Sequence, residues 1–224
     1  MSVASIVVFF GAVVEFQALK QGKLAIIEPI LGFELPFTIG LAVIFLNEQF
    51  SSLQLFLMVT TFIGIILTVT IFPSTIHIHK RKFEKGILFA CIGALLMGSV
   101  NFLVGVGSEL TSPLVTIWFT NIVFSLIAFI VLLQQGRIQT MIQKVKQFPK
   151  DTGRMVVFDN LAWIFFAIAT SIIPISLATT ISESYIACAV LLGVYVNHEK
   201  IKIHQKVGIA IVVVSIVFLS LSTI

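Results

Sequence analysis

Two glutamates, Glu28 and Glu183, lie inside long apolar runs, LAIIEPILGFELPFTIGLAVIFLNEQF (24–50) and ISLATTISESYIACAVLLGVYV (175–196). A carboxyl near the middle of a bilayer costs on the order of 2.5–3.5 kcal/mol and usually marks a pathway or a binding site. Pro29 and Pro36 accompany the first acid. Proline removes a backbone donor and bends a helix, which membranes tolerate where a cavity or a neighbouring helix satisfies the freed carbonyls. Around the second acid, Thr179, Ser182 and Glu183 make an i, i+3, i+4 stripe with Tyr185 after it. Asn160 and Trp163 share a helical face and could present a polar-aromatic wall to a small molecule. No Lys or Arg lies in any apolar run to neutralise the acids. Carboxyls so placed could exchange a proton for a cationic or amine-bearing ligand. The plain alternative for each is a protonated packing group held by a hydrogen bond.

Other polar groups read as structural. On a continuous helical wheel Glu34 is turned about a third of a turn from Glu28, towards a neighbour or an interface. Glu15 and Asp159 lie within about two turns of basic loops and are expected to pair with Lys20 and Arg154 by snorkelling. Asn101, near Gly98 and Gly105, and Asn121, near Trp118 and Ser125, read as contacts between helices. Glu48 and Glu199 are expected to hold loops. His77, His79, His198 and His204 are too scattered for a metal site. Cys91 and Cys188 lie in apolar runs and predict no disulfide. No nucleophile elbow, phosphate loop or zinc motif occurs, so neither an enzyme nor a bound cofactor is expected.

The elements that must position these groups follow from composition. Hydrophobic residues make up 58% of the chain and charged residues 11%, with mean hydropathy +1.11. Soluble domains carry about 25% charged residues, so the lipid bilayer is the expected surroundings. Eight apolar segments, near 2–19, 24–46, 52–72, 86–106, 113–133, 155–173, 177–196 and 207–223, predict eight transmembrane helices in an all-α integral membrane protein. The first lacks the basic flank and cleavage site of a signal peptide. The stretch 134–154 is polar, and IQTMIQKVKQF within it fits either a short amphipathic helix or a solvated loop.

All 14 Lys and Arg fall in four loops, after the first, third, fifth and seventh segments. Such alternation predicts a multi-pass protein of the cell membrane with basic loops in the cytoplasm and both termini outside. The net charge of +4 is spread over loops rather than one face, which argues against nucleic acid.

An internal repeat appears at an offset of 151 residues. Glu48 falls on Glu199 and Gln54 on Gln205, so LNEQFSSLQ and VNHEKIKIHQ share an x-E-x5-Q pattern, each before a closing apolar helix. Five helices separate the two hinges, which places them on opposite membrane faces as an inverted-topology repeat. Pseudo-symmetry then sets Glu28 across from Glu183. The expected division is 1–73 as a three-helix unit, 74–85 as a basic loop and 86–224 as a five-helix unit.

The stretches ALKQGKLAIIEPILGFELPFTIGLAVIFLNEQFSSLQ and ISLATTISESYIACAVLLGVYVNHEKIKIHQKVG resemble the drug/metabolite transporter superfamily of the EamA type. Each has a small-residue turn, a long helix with a break, a Glu-containing hinge and a last helix with Gly or Ser. The resemblance implies an inverted-repeat bundle, ten helices in two five-helix units, with substrate held in a central cavity. Against that pattern the chain is an incomplete 3+5 arrangement without the first two helices, either a fragment or a reduced member that dimerises. The orientation read from the charges also departs from the family's cytoplasmic termini. The expected function is a secondary transporter or exporter of small metabolites by alternating access. The alternative is a non-transporting membrane scaffold, or a subunit that forms its cavity as a homodimer. The residues expected at the substrate are Glu28, Pro29, Asn160, Trp163, Ser182 and Glu183.

Overall fold

The computed structural model describes residues 1–21, 24–70, 80–196, 198 and 201–222. Eleven helices follow one another through them, and no strand occurs among the described residues. They are α1 (Ser2–Gln21), α2 (Leu24–Leu31), α3 (Glu34–Leu46), α4 (Ser52–Val69), α5 (Lys80–Leu110), α6 (Pro113–Gln134), α7 (Ile138–Gln147), α8 (Pro149–Thr170), α9 (Ile175–Ser182), α10 (Tyr185–Val196) and α11 (Ile203–Leu221). Eight segments among them are long and apolar enough to cross a membrane; α2 with α3 and α9 with α10 each make one crossing from two half-helices. The chain is an all-α membrane protein.

Three helix starts differ from the sequence expectation: α5 opens at Lys80, inside the expected 74–85 loop, with its spanning part from Gly86. The sixth span starts at Pro149, not near 155, because proline suits the first helical position, where no N–H is needed. Before it, IQTMIQKVKQ forms the amphipathic helix α7 rather than a loop. The last helix begins at Ile203 rather than near 207, since its polar first turn is held by a cap described below.

The 151-residue offset recurs in the backbone. Leu24 and Ile175 open α2 and α9, Glu34 and Tyr185 open α3 and α10, and Ser52 and Ile203 open α4 and α11. Both breaks tighten the helix through the same four bonds. Gly32 N donates to Glu28 O and Glu183 N to Thr179 O; Phe33 N donates to Ile30 O and Ser184 N to Ile181 O. Leu35 N donates to Gly32 O as Ile186 N does to Glu183 O, and Phe37 N to Phe33 O as Cys188 N does to Ser184 O. The second break has one bond more, Ala187 N to Ser184 O. Its counterpart position is Pro36, which has no N–H to give.

The hinges match too. Asn47 (φ 54°) and His198 (φ 55°) are the non-glycine residues with left-handed backbone among those described. Ser51 N and Lys202 N, 151 apart, each donate to the side chain of the glutamine three residues on, Gln54 and Gln205, at 3.0 Å. In the first hinge Ser51 Oγ also accepts from Gln54 N; lysine has no acceptor, so the second cap keeps half of the motif. The amide of each glutamine then crosses to the other closing helix: Gln54 Nε2 donates to Ser222 O at 3.3 Å and Gln205 Nε2 to Thr68 O at 3.0 Å. The start of α4 therefore meets the end of α11, and the start of α11 the end of α4. The two run antiparallel, with their hinges at opposite ends.

Between them the backbones nearly touch. A Cβ built on Gly208 would lie 2.6 Å from Thr68 Oγ1 and 2.7 Å from the Gly64 carbonyl oxygen. Leu35, Ile65, Ala187, Ile209 and Val212 form a buried cluster around this pair. Glu199, and much of the 74–85 loop with His77 and His79, fall outside the described residues. Glu48, expected to hold its own loop, reaches another helix. Its carboxylate accepts from Ile175 N at 2.7 Å and Ser176 N at 3.2 Å, capping the buried start of α9.

Candidate functional site

The two broken helices cross next to one another, and α3 packs on α9. Where they cross lies a cavity of about 400 Å³ lined by side chains that include Glu15, Glu34, Asn101, Asp159, Ser182 and Glu183, with aromatic walls from Trp163, Phe166 and Tyr185. A second chamber of about 420 Å³ shares Met97, Asp159 and Trp163 with it and extends between α1, α6 and α8.

The acid facing Glu183 is Glu34, not Glu28. Their carboxyls are close enough to hydrogen-bond, with Glu15 within electrostatic reach of both. A continuous helix through 24–46 would turn Glu34 away, but the span is two half-helices. The turn at Gly32 and Phe33 resets the phase, so α3 presents a different face from the one a continuous helix would. Packing fixes the result. Gly98 on α5 lets the first turn of α3 come close, since a Cβ there would lie 2.8 Å from the Glu34 carbonyl oxygen. Thr38 Oγ1 donates to Glu34 O at 2.9 Å and contacts Gly98 O at 3.1 Å, pinning that turn to α5.

Glu183 is 7% exposed, and its Oε2 is buried with no donor among the described residues. A carboxyl hidden in this way is costly unless a proton, a cation or a donor from a bound molecule satisfies it. Contact between two carboxyls contains a donor only when one of them holds a proton.

Two further acids were assigned elsewhere from the sequence. Asp159 is ten residues into α8, since that helix starts at Pro149, and it reaches the cavity rather than a loop. Arg154 meets Asp151 instead, in an exposed pair at 4.0 Å. Glu15 sits where α1 crosses α5 beside Gly93, and its carboxyl also lines the cavity. Neither snorkels to a lysine or arginine among the described residues. Asn101, expected as a contact between helices, is a buried cavity residue.

Of the six residues expected at the substrate, the fold brings Trp163, Ser182 and Glu183 together. Asn160 lies in the adjoining chamber, where its Oδ1 accepts from Asn121 Nδ2 at 2.8 Å. That bond ties α6 to α8, the role expected of Asn121. Glu28 is half-buried, near Glu15 and Glu34 but outside the cavity lining, and Pro29 is outside it as well. The offset held a usable signal for Glu34. It and Tyr185 are 151 apart and each opens the half-helix after a break, so both belong beside the crossing.

A family model matches residues 84–221, more than half of the chain, and describes the EamA-like transporter family. The chain belongs to that family. Among curated proteins none matches it. In this EamA-like protein the matched region runs from residue 84, one turn into α5, to the end of α11. It therefore supplies Asn101, Asp159, Trp163, Ser182, Glu183 and Tyr185, whereas Glu15 and Glu34 come from the part before it.

Proposed function

We propose that the protein is a secondary transporter of small amine-bearing or cationic metabolites in the cell membrane, working by alternating access. The observation that carries this reading is the lining of the central cavity. Glu15, Glu34, Asp159 and Glu183 converge there, and no Lys or Arg lines it among the described residues. Four acids and a tryptophan suit an organic cation, through charge and through the face of the indole ring. A cavity of about 400 Å³ fits a small metabolite at the low end of ligand pockets. Burial of the Glu34–Glu183 pair beside a midplane break is the arrangement in which an arriving cation and a leaving proton compete for the same oxygens. In this reading units 1–73 and 86–224 rock against each other about the crossing, with the basic loops in the cytoplasm.

The test is proton movement in proteoliposomes loaded with a pH-sensitive dye. A panel of small organic amines should shift the lumenal pH where carboxylates of the same size do not. Glu34→Gln and Glu183→Gln should each reduce that response at least tenfold. Amines and carboxylates acting alike, or both variants behaving as the unsubstituted protein, would refute the reading.

A further inference from the structure

Helix α7 lies outside the bundle. No residue in it is buried, and it touches little besides the start of α8. Ile138, Met141, Ile142 and Val145 recur at i, i+3, i+4 and i+7, which makes one apolar stripe. Met141, Ile142 and Val145 are each more than 40% exposed. Both ends of the helix are tied directly to spans. It follows α6 through a left-handed Gly136 (φ 64°) and runs into α8 at Pro149. It must therefore lie at the boundary between lipid and water.

The stretch 134–154 is strongly basic, with Arg137, Lys144, Lys146, Lys150 and Arg154. Its one acid, Asp151, faces Arg154. Against this helix is a pocket of about 500 Å³ whose wall mixes two kinds of group. Arg137, Lys144, Thr140 and Thr152 provide charge and hydroxyls; Leu132, Met141, Val145 and Phe148 provide apolar surface.

We propose that α7 is an interfacial helix and that this pocket binds the headgroup of an anionic phospholipid. Arg137 and Lys144 take the phosphate, while Met141, Val145 and Phe148 cover the start of the acyl chains. Basic clusters beside spanning helices attract anionic leaflets in this way, and an amphipathic helix sinks its apolar stripe to the headgroup level. The site is remote from the central cavity and is independent of the substrate reading.

The experiment uses the full chain with Cys91→Ala, Cys188→Ala and Ile142→Cys, labelled at 142 with a fluorophore. It is reconstituted into phosphatidylcholine vesicles with increasing phosphatidylglycerol. A nitroxide at headgroup depth should quench the fluorophore, more so as phosphatidylglycerol rises. Arg137→Gln with Lys144→Gln should raise the half-saturating phosphatidylglycerol at least tenfold, the effect of losing two charge-assisted hydrogen bonds to the phosphate inside the pocket. Lys146→Gln with Lys150→Gln removes equal charge outside the pocket and should change it less than threefold. Circular dichroism checks that both pairs stay folded. The proposal fails if the fluorophore stays water-exposed in every mixture, or if the two pairs of substitutions act equally. It also fails if millimolar inorganic phosphate displaces the effect, which would mark a soluble-anion site, or if the label is protected by a second copy, seen as dilution-sensitive quenching between labelled chains.

Discussion

The first broken helix has Pro29 before its turn and Pro36 after it; it is half-buried and touches α1, α4, α5 and α9. The second has no proline inside either half, buries every residue from Ile175 to Thr180, and touches α3, α4, α5, α8 and α11. Yet both turn at the same repeat position with the same four backbone bonds. A helix can thus be interrupted by its own residues or by its surroundings. In the first, proline deletes a bond that a continuous helix would make. In the second, the N–H is present and the chain is held by packing and by a cap from Glu48, on the other repeat's hinge.

Substitutions at four positions probe that contrast, read as thermal unfolding of purified protein. Glu48→Ala should cost most, about 3 kcal/mol, because it orphans two N–H groups of buried residues at the start of α9; Glu48→Gln, with one acceptor oxygen left, should recover part of it. Gly98→Ala should cost about 2 kcal/mol through overpacking against the Glu34 turn, and should weaken amine binding as the Glu34–Glu183 contact shifts. Ala187→Pro copies the chemistry of the first break into the second. It should cost about 1 kcal/mol, one hydrogen bond, since proline is accepted in a first helical turn. Pro36→Ala should change stability by only a few tenths of a kcal/mol, as the restored N–H finds Phe33 O in the geometry that Ala187 N uses. If Ala187→Pro unfolds the protein while Pro36→Ala is neutral, the two breaks are alike in outline only.

Much of this architecture was legible in the residues. Apolar length alone separated eight spans, and the pairing of Glu48 with Glu199 and Gln54 with Gln205 gave an offset that the helix boundaries follow almost to the residue. The site was harder. Periodicity assigns faces only while a helix is continuous, so Glu34 was lost at the turn that carries it into the cavity. Asp159 is hard to place from sequence because the polar stretch PKDTGR resembles a loop, whereas Pro149 opens a helix there. Glu15 has no local mark that distinguishes a cavity acid from one near an interface; only its crossing with α5 decides. Ser182 and Glu183, by contrast, line the cavity where the polar stripe in an otherwise apolar half-helix points.

The glutamine clasps of α4 and α11 have a mechanical consequence. Each closing helix reaches the far end of the other, so neither can slide along its partner without breaking a bond at both ends. Eighteen residues of α4 at 1.5 Å each give a strut of about 27 Å, slightly under a typical hydrocarbon core of about 30 Å. A strut of fixed length cannot stretch to meet a thicker bilayer. Any mismatch must be absorbed by the lipid or by the tilt of the whole pair, which would make bilayer thickness, as well as solutes, a load on this protein.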